Sequence, residues 1–83
     1  GYYHIYGRSQ DPHCAELINY LNNTGFEYVF TLTDFSPEYE HSITKRCKRD
    51  YTPIITSVTI AGEEDIIGGF EEAMEHIKSM TKS

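Results

Sequence analysis

Basic residues are scarce in this chain: 7 Lys and Arg stand against 13 Asp and Glu, for a formal charge of −6. Nucleic acid and anionic lipid both need clustered cations, so neither is an expected partner. Long apolar runs are missing too, and nothing approaches the roughly 20 residues that would span a bilayer. No signal peptide is visible, and Gly1, with no Met before it, reads as a leftover of expression or as a cut in a longer chain. Only two cysteines are present, Cys14 and Cys47. A small secreted domain leaning on disulfides usually carries four or more, so a reducing cytoplasm is the expected compartment, with a single bridge still open. The four histidines, His4, His13, His41 and His76, are dispersed without metal-ligand spacing, so no metal is expected. Repeats, linkers and low-complexity segments are all lacking. What remains is 83 residues, 39% hydrophobic and 13% aromatic. That is enough for one small globular domain over residues 1–83, expected to act as a monomer, and too apolar for a disordered chain.

The pattern along the chain alternates strand and helix. Tyr2 to Tyr6 is short, aromatic and β-branched, and predicts a first strand. Asp11 followed by Pro12 predicts a helix start, with the carboxylate capping free N–H groups and Pro losing no hydrogen bond at the first position. Cys14, Leu17, Ile18 and Leu21 then repeat at helical spacing, and Gly25 is placed to stop the helix in the left-handed conformation. Phe26 to Leu32 predicts a second strand, expected at the centre of the sheet because of its aromatics. Ser36-Pro37-Glu38 repeats the helix-start signal, and a stripe of Tyr39, Ile43 and Cys47 carries that helix to about Lys48. Ile54 to Ile60 is the clearest strand, and Asp65 to Ile67 pairs back on it as a hairpin across Ala61 to Glu64. After Gly68-Gly69, a third helix buries Phe70, Ala73, Met74 and Ile77, with fraying expected from Ser79. The order β-α-β-α-β-β-α predicts an α/β fold: a four-stranded mixed sheet with helices on both faces. Strands joined by a helix are expected to run parallel, and the last two antiparallel.

That order is the minimal thioredoxin-like three-layer sandwich, and three stretches resemble the glutaredoxin branch of it. Ile5-Tyr6-Gly7-Arg8-Ser9, with Pro12 and Cys14 following, resembles the first strand and active-site loop. Tyr51-Thr52-Pro53 resembles the Thr-Val-Pro segment, whose proline is cis in that family. Ile67-Gly68-Gly69-Phe70-Glu71-Glu72 resembles the Gly-Gly-X-Asp/Thr-Asp/Glu stretch. The resemblance spans nearly all of the chain and departs at one place. Where glutaredoxins read Cys-Pro-Tyr-Cys or Cys-Gly-Phe-Ser, this sequence reads Asp11-Pro12-His13-Cys14. Only the second, resolving sulfur is kept. The nucleophile's position holds a carboxylate, a poor nucleophile toward sulfur that forms no mixed disulfide. The family's [2Fe–2S] binding uses the same lost cysteine.

The resemblance implies a glutathione-dependent thiol–disulfide oxidoreductase, an electron donor to a reductase such as ribonucleotide reductase. No cofactor is bound, and glutathione or a glutathionylated or disulfide-bearing protein serves as co-substrate and partner. If chemistry persists, Cys14 carries it, with Asp11 and Pro12 in the active-site loop. The resemblance assigns Arg8, His13, Thr52, Pro53, Gly69, Phe70 and Glu71 to the glutathione groove. Each has a plainer reading. Cys14 starts the apolar stripe as a core residue, Asp11 is an N-cap, Arg8 and His13 are solvated, and Glu71 with Glu72 suits a first helical turn. The alternative function is therefore a redox-inactive thioredoxin-fold module that recognises a protein partner.

Overall fold

A computed structural model describes residues 1–81. Seven elements follow in order: β1 (Tyr2–Gly7), α1 (Pro12–Thr24), β2 (Tyr28–Leu32), α2 (Pro37–Cys47), β3 (Ile54–Val58), β4 (Glu64–Gly68) and α3 (Phe70–Thr81). The helix boundaries come from local chemistry. The Asp11 carboxylate accepts the His13 N–H and Pro12 opens α1, while Gly25 closes it at φ 79°, its N–H donating to the Leu21 carbonyl. Ser36 and Pro37 do the same for α2, which Lys48 ends in the left-handed conformation at φ 57°. α3 is helical through Thr81, and the last two residues of the tail expected to fray, 82–83, lie outside the described part. No helix among the described residues is long and apolar enough to cross a membrane.

The four strands form one mixed sheet in the order β2-β1-β3-β4. β1 is parallel to β2 and antiparallel to β3, and β3 is antiparallel to β4. Two expectations fail here. β2 is an edge strand rather than a central one, and its Tyr28 and Phe30 gain partial burial from the helix layer, not from a strand on either side. The strand reached through α2 is not parallel to its predecessor. The connection through α2 carries the chain past β1, and β3 pairs on its far side running the opposite way.

Strand alternation splits the interior in two. Tyr3, Ile5 and Ile55 pack with Cys14, Leu17 and Leu21 of α1 and with Ala73 and Ile77 of α3. On the opposite face Tyr6 and Ile54 pack with Ile43 and Cys47 of α2. Tyr39, expected in that stripe, is 37% exposed. Both cysteines are buried and free, one on each face.

Past the short α2, the second face continues as a polar network. The Tyr6 hydroxyl donates to Glu64 Oε2 at 3.0 Å and accepts from Arg46 Nη2 at 3.0 Å, while Thr56 Oγ1 donates to Glu64 at 2.7 Å. His4 stacks on Tyr6 with centroids 4.0 Å apart. Burial raises the Glu64 pKa, but the hydrogen bonds from Thr56 and Tyr6 and the Arg46 charge more than reverse this, leaving it below the ordinary 4.5. A carboxyl depressed in the folded state contributes stability above its unfolded pKa and loses that contribution as pH falls through the folded value. Stability should therefore decline as pH drops below about 4.5. In a Thr56→Val protein, urea melts across that range should show a shallower acid decline and a loss of about 1 kcal/mol at neutral pH. An unchanged acid slope would remove Glu64 as a source of the effect.

Candidate functional site

The C-terminal end of β1, the N-termini of α1 and α3, and the loop before β3 meet at one end of the sheet. Gly7 closes β1 with its Cα against the Cys14 sulfur, where an added Cβ would collide with Sγ; that Cβ would also lie 3.4 Å from Pro53 Cβ. The Thr52–Pro53 peptide is cis, as the resemblance to glutaredoxins implies, and Pro53 is buried. Tyr51, just before it, lies over Gly69, where an added Cβ would come within 2.9 Å of the ring. Phe70, the first residue of α3, stacks on His13 in the first turn of α1 at 4.6 Å and 27°. Side chain and backbone thus form a ring of contacts: Gly7, Cys14, His13, Phe70, Gly69, Tyr51 and Pro53.

The electrostatics of the α1 terminus follow from two side chains. Asp11 Oδ1 accepts the His13 N–H at 2.9 Å and stands 3.7 Å from His13 Nδ1. It holds the place where the positive end of the helix dipole stabilises an anion most. Cys14 lies one turn in and is only 2% exposed. Burial first, and then the Asp11 carboxylate, push its thiol up to about 11, against a smaller lowering from a backbone hydrogen bond at Arg8. At neutral pH this sulfur is a protonated core atom.

The ring gathers His13, Cys14, Pro53, Gly69 and Phe70 from the sequence-predicted set, with Asp11, Pro12 and Thr52 adjoining it in sequence and Glu71 exposed on the first turn of α3. Arg8 is committed elsewhere. Its guanidinium grips Glu40 of α2 through both oxygens, at 2.6 and 3.0 Å, and holds that carboxyl below its ordinary value. Glu40 also accepts from Thr33 Oγ1 at 2.9 Å, and Asp34 accepts from the Ser9 hydroxyl and N–H, so the loop after β1 is tied to the start of α2. Glu40 escaped the sequence reading, and nothing near it gave a signal. Tyr51 and Glu72 stood in the glutaredoxin-like stretches without a role in the site assigned to either; Tyr51 lies over Gly69, and the Glu72 carboxylate lies against Gly68, held at φ 136°. Among the described residues no cluster of three or more His, Cys, Asp or Glu is arranged to hold a metal ion.

No protein-family model matches this sequence, and no curated protein does either. Solved structures match across the fold. The solution structure of a Brucella melitensis glutaredoxin superposes with a TM-score of 0.70 at 22% identity, covering 98% of this chain and 82% of that one. A buckwheat glutaredoxin, solved in complex with glutathione, gives 0.71 at 15% identity over 94% and 69%. A wheat glutaredoxin gives 0.72 at 14% identity over 98% and 76%. The fold is that of the glutaredoxins.

Proposed function

We propose that this chain is a glutaredoxin-like protein that keeps the binding half of that family's work and has given up the chemical half. Its ligand is glutathione, or an extended cysteine-bearing segment of a protein partner, held in the groove between Thr52-Pro53 and Gly69-Phe70. One observation carries the reading. The helix terminus that would activate an exposed thiolate holds a capping carboxylate, and the nearest sulfur, Cys14, is buried with its thiol pushed up to about 11. Thiol–disulfide exchange needs a reachable thiolate, and this site offers neither exposure nor ionisation. The groove is supported by the closed contacts of Tyr51 on Gly69 and His13 on Phe70, and by the start of α3, where free N–H groups favour a carboxylate such as that of a γ-glutamyl group. The glutathione complex of the buckwheat protein adds support by likeness of fold.

Titrating isotope-labelled protein with reduced glutathione should give saturable amide shifts at Thr52, Gly69 and Phe70. Silence at all three would sink the binding claim. The chemical claim is tested by alkylation of the native thiols. With a pKa near 11, the Cys14 thiolate fraction at neutral pH is about 300-fold below that of an ordinary cysteine at about 8.5, before shielding is counted. Labelling of Cys14 by iodoacetamide should therefore be at least about 100-fold slower in the native protein than in urea.

A second reading rests on the one influence that favours the thiolate, the backbone hydrogen bond at Arg8 to Cys14. On that reading Cys14 alone exchanges with a glutathione mixed disulfide, and the protein is a glutathione-dependent oxidoreductase passing electrons to a reductase, ribonucleotide reductase among the candidates. Turnover that disappears with Cys14→Ser, together with fast native labelling, would favour it over the first.

A further inference from the structure

Alongside α3 runs a second groove, which shares Phe70 with the proposed binding site. Phe70 and Met74, both half-buried, form its floor, and the exposed carboxylates of Glu16 from α1 and Glu71 and Glu75 from α3 stand along it, with Lys78 at the far end. Glu71 and Glu75 are four residues apart on one helix and so project from the same face. The three ion pairs among the described residues engage other acids, namely Glu40, Asp11 and Glu64. Most of the chain's cations are gathered elsewhere. Lys45, Arg46, Lys48 and Arg49 lie at the end of α2, on the opposite face of the sheet. An apolar floor under a rim of three glutamates and one lysine has a complement of definite chemistry: apolar side chains to cover Phe70 and Met74, and ammonium or guanidinium groups to meet the glutamates.

We propose that the α1–α3 groove docks a basic amphipathic segment of another protein. The strip from Phe70 to Ser79 is about 14 Å long at 1.5 Å per residue, matching two to three turns of helix or about four extended residues. The groove begins where Phe70 carries His13, so a segment lying in it would run away from the mouth of α1 along α3. The proposal stands whether or not glutathione binds at that mouth.

The test uses two short capped peptides, one of Lys and Leu in amphipathic helical order and its counterpart with Glu for every Lys, titrated into isotope-labelled protein. The Lys peptide should shift the amides of Glu16, Met74 and Glu75 saturably, and the Glu peptide should not. Raising salt from about 0.05 to about 0.5 M should weaken the binding, since rim charges are screened. A Glu16→Gln, Glu75→Gln protein should bind about tenfold more weakly, and its unperturbed spectrum elsewhere would show that it folds. Equal shifts from both peptides, no shift at those amides, or undiminished binding by the double variant would overturn the proposal. So would shifts at the same amides that grow with protein concentration alone, which would assign the groove to the basic α2 end of a second copy. Glutathione is read at Thr52 and Gly69, so a failure there leaves this result standing, and the reverse holds too.

Discussion

Asp11→Cys is expected to create glutathione-dependent disulfide reductase activity at least about 100-fold above that of the unaltered chain. The Asp11 side chain occupies the α1 cap position, its Oδ1 2.9 Å from the His13 N–H. A sulfur placed there would meet the same N–H groups and the same helix field, conditions that lower a thiol pKa from about 8.5 toward or below neutrality. It would also be more accessible than Cys14, which is buried in the core while Asp11 keeps 18% of its side chain exposed. With Cys14 held in the interior, a mixed disulfide at the new cysteine would be resolved by a second glutathione. Turnover in a glutathione-coupled assay on a small disulfide should therefore survive the further change Cys14→Ser. Replacing the carboxylate costs about 1 kcal/mol of cap stability, so Asp11→Ser is the matched control, keeping a capping oxygen and adding no thiol. If the cysteine variant stays silent while glutathione still shifts Gly69 and Phe70, the ligand's sulfur is not delivered to the α1 mouth, and the proposed groove is misaligned.

Gly7→Ala should destabilise the protein, small as the added group is. An alanine Cβ at this position would collide with the Cys14 sulfur, a buried atom at the root of a helix that cannot swing away. Overpacking of this kind costs about 1–3 kcal/mol, set against a gain of about 0.4–1 kcal/mol from restricting the unfolded chain. The remaining contacts of such a Cβ, 3.4 Å to Pro53 and 3.5 Å to Phe30, are near ordinary van der Waals distance. The cost should accordingly belong to one pair. In a Cys14→Ala background, Gly7→Ala should become nearly neutral, and a double-mutant cycle by urea unfolding should return a coupling of about 1–3 kcal/mol. Additive losses would mean that the strain lies in the strand backbone and not against the sulfur.

These two positions also separate what the sequence could convey from what it could not. Asp11-Pro12, Ser36-Pro37 and Gly25 announce helix boundaries because capping is settled within a few residues. The inward direction of Cys14 followed from its spacing with Leu17 and Leu21, and the structure buries all three. The consequence for its thiol was out of reach, since it depends on Gly7, Asp11 and the helix layer closing around the sulfur. Strand partners were equally hidden. Phe26 to Leu32 has the composition of a central strand, yet its neighbours are decided by where the α2 connection sets β3 down, a matter of the whole sheet. The Arg8–Glu40 clasp joins residues remote in sequence, and composition at either end gives no sign of it. The resemblance to glutaredoxins supplied the positions of Thr52, Pro53, Gly69 and Phe70, and it included Tyr51 only as the residue before Thr52, with no word of its ring over Gly69.

The sheet has a chemist's consequence as well as an architect's. Cys14 lies beneath one face and Cys47 beneath the other, with β1 and β3 between them. No rotamer change brings the two sulfurs together, and neither is offered to a neighbouring molecule. The native chain should migrate identically on gels with and without dithiothreitol, and under native conditions neither thiol should take up glutathione when the poise is swung from reducing to oxidising. If the site is redox-inactive as proposed, any signal this protein carries is written in occupancy and shape, not in electrons.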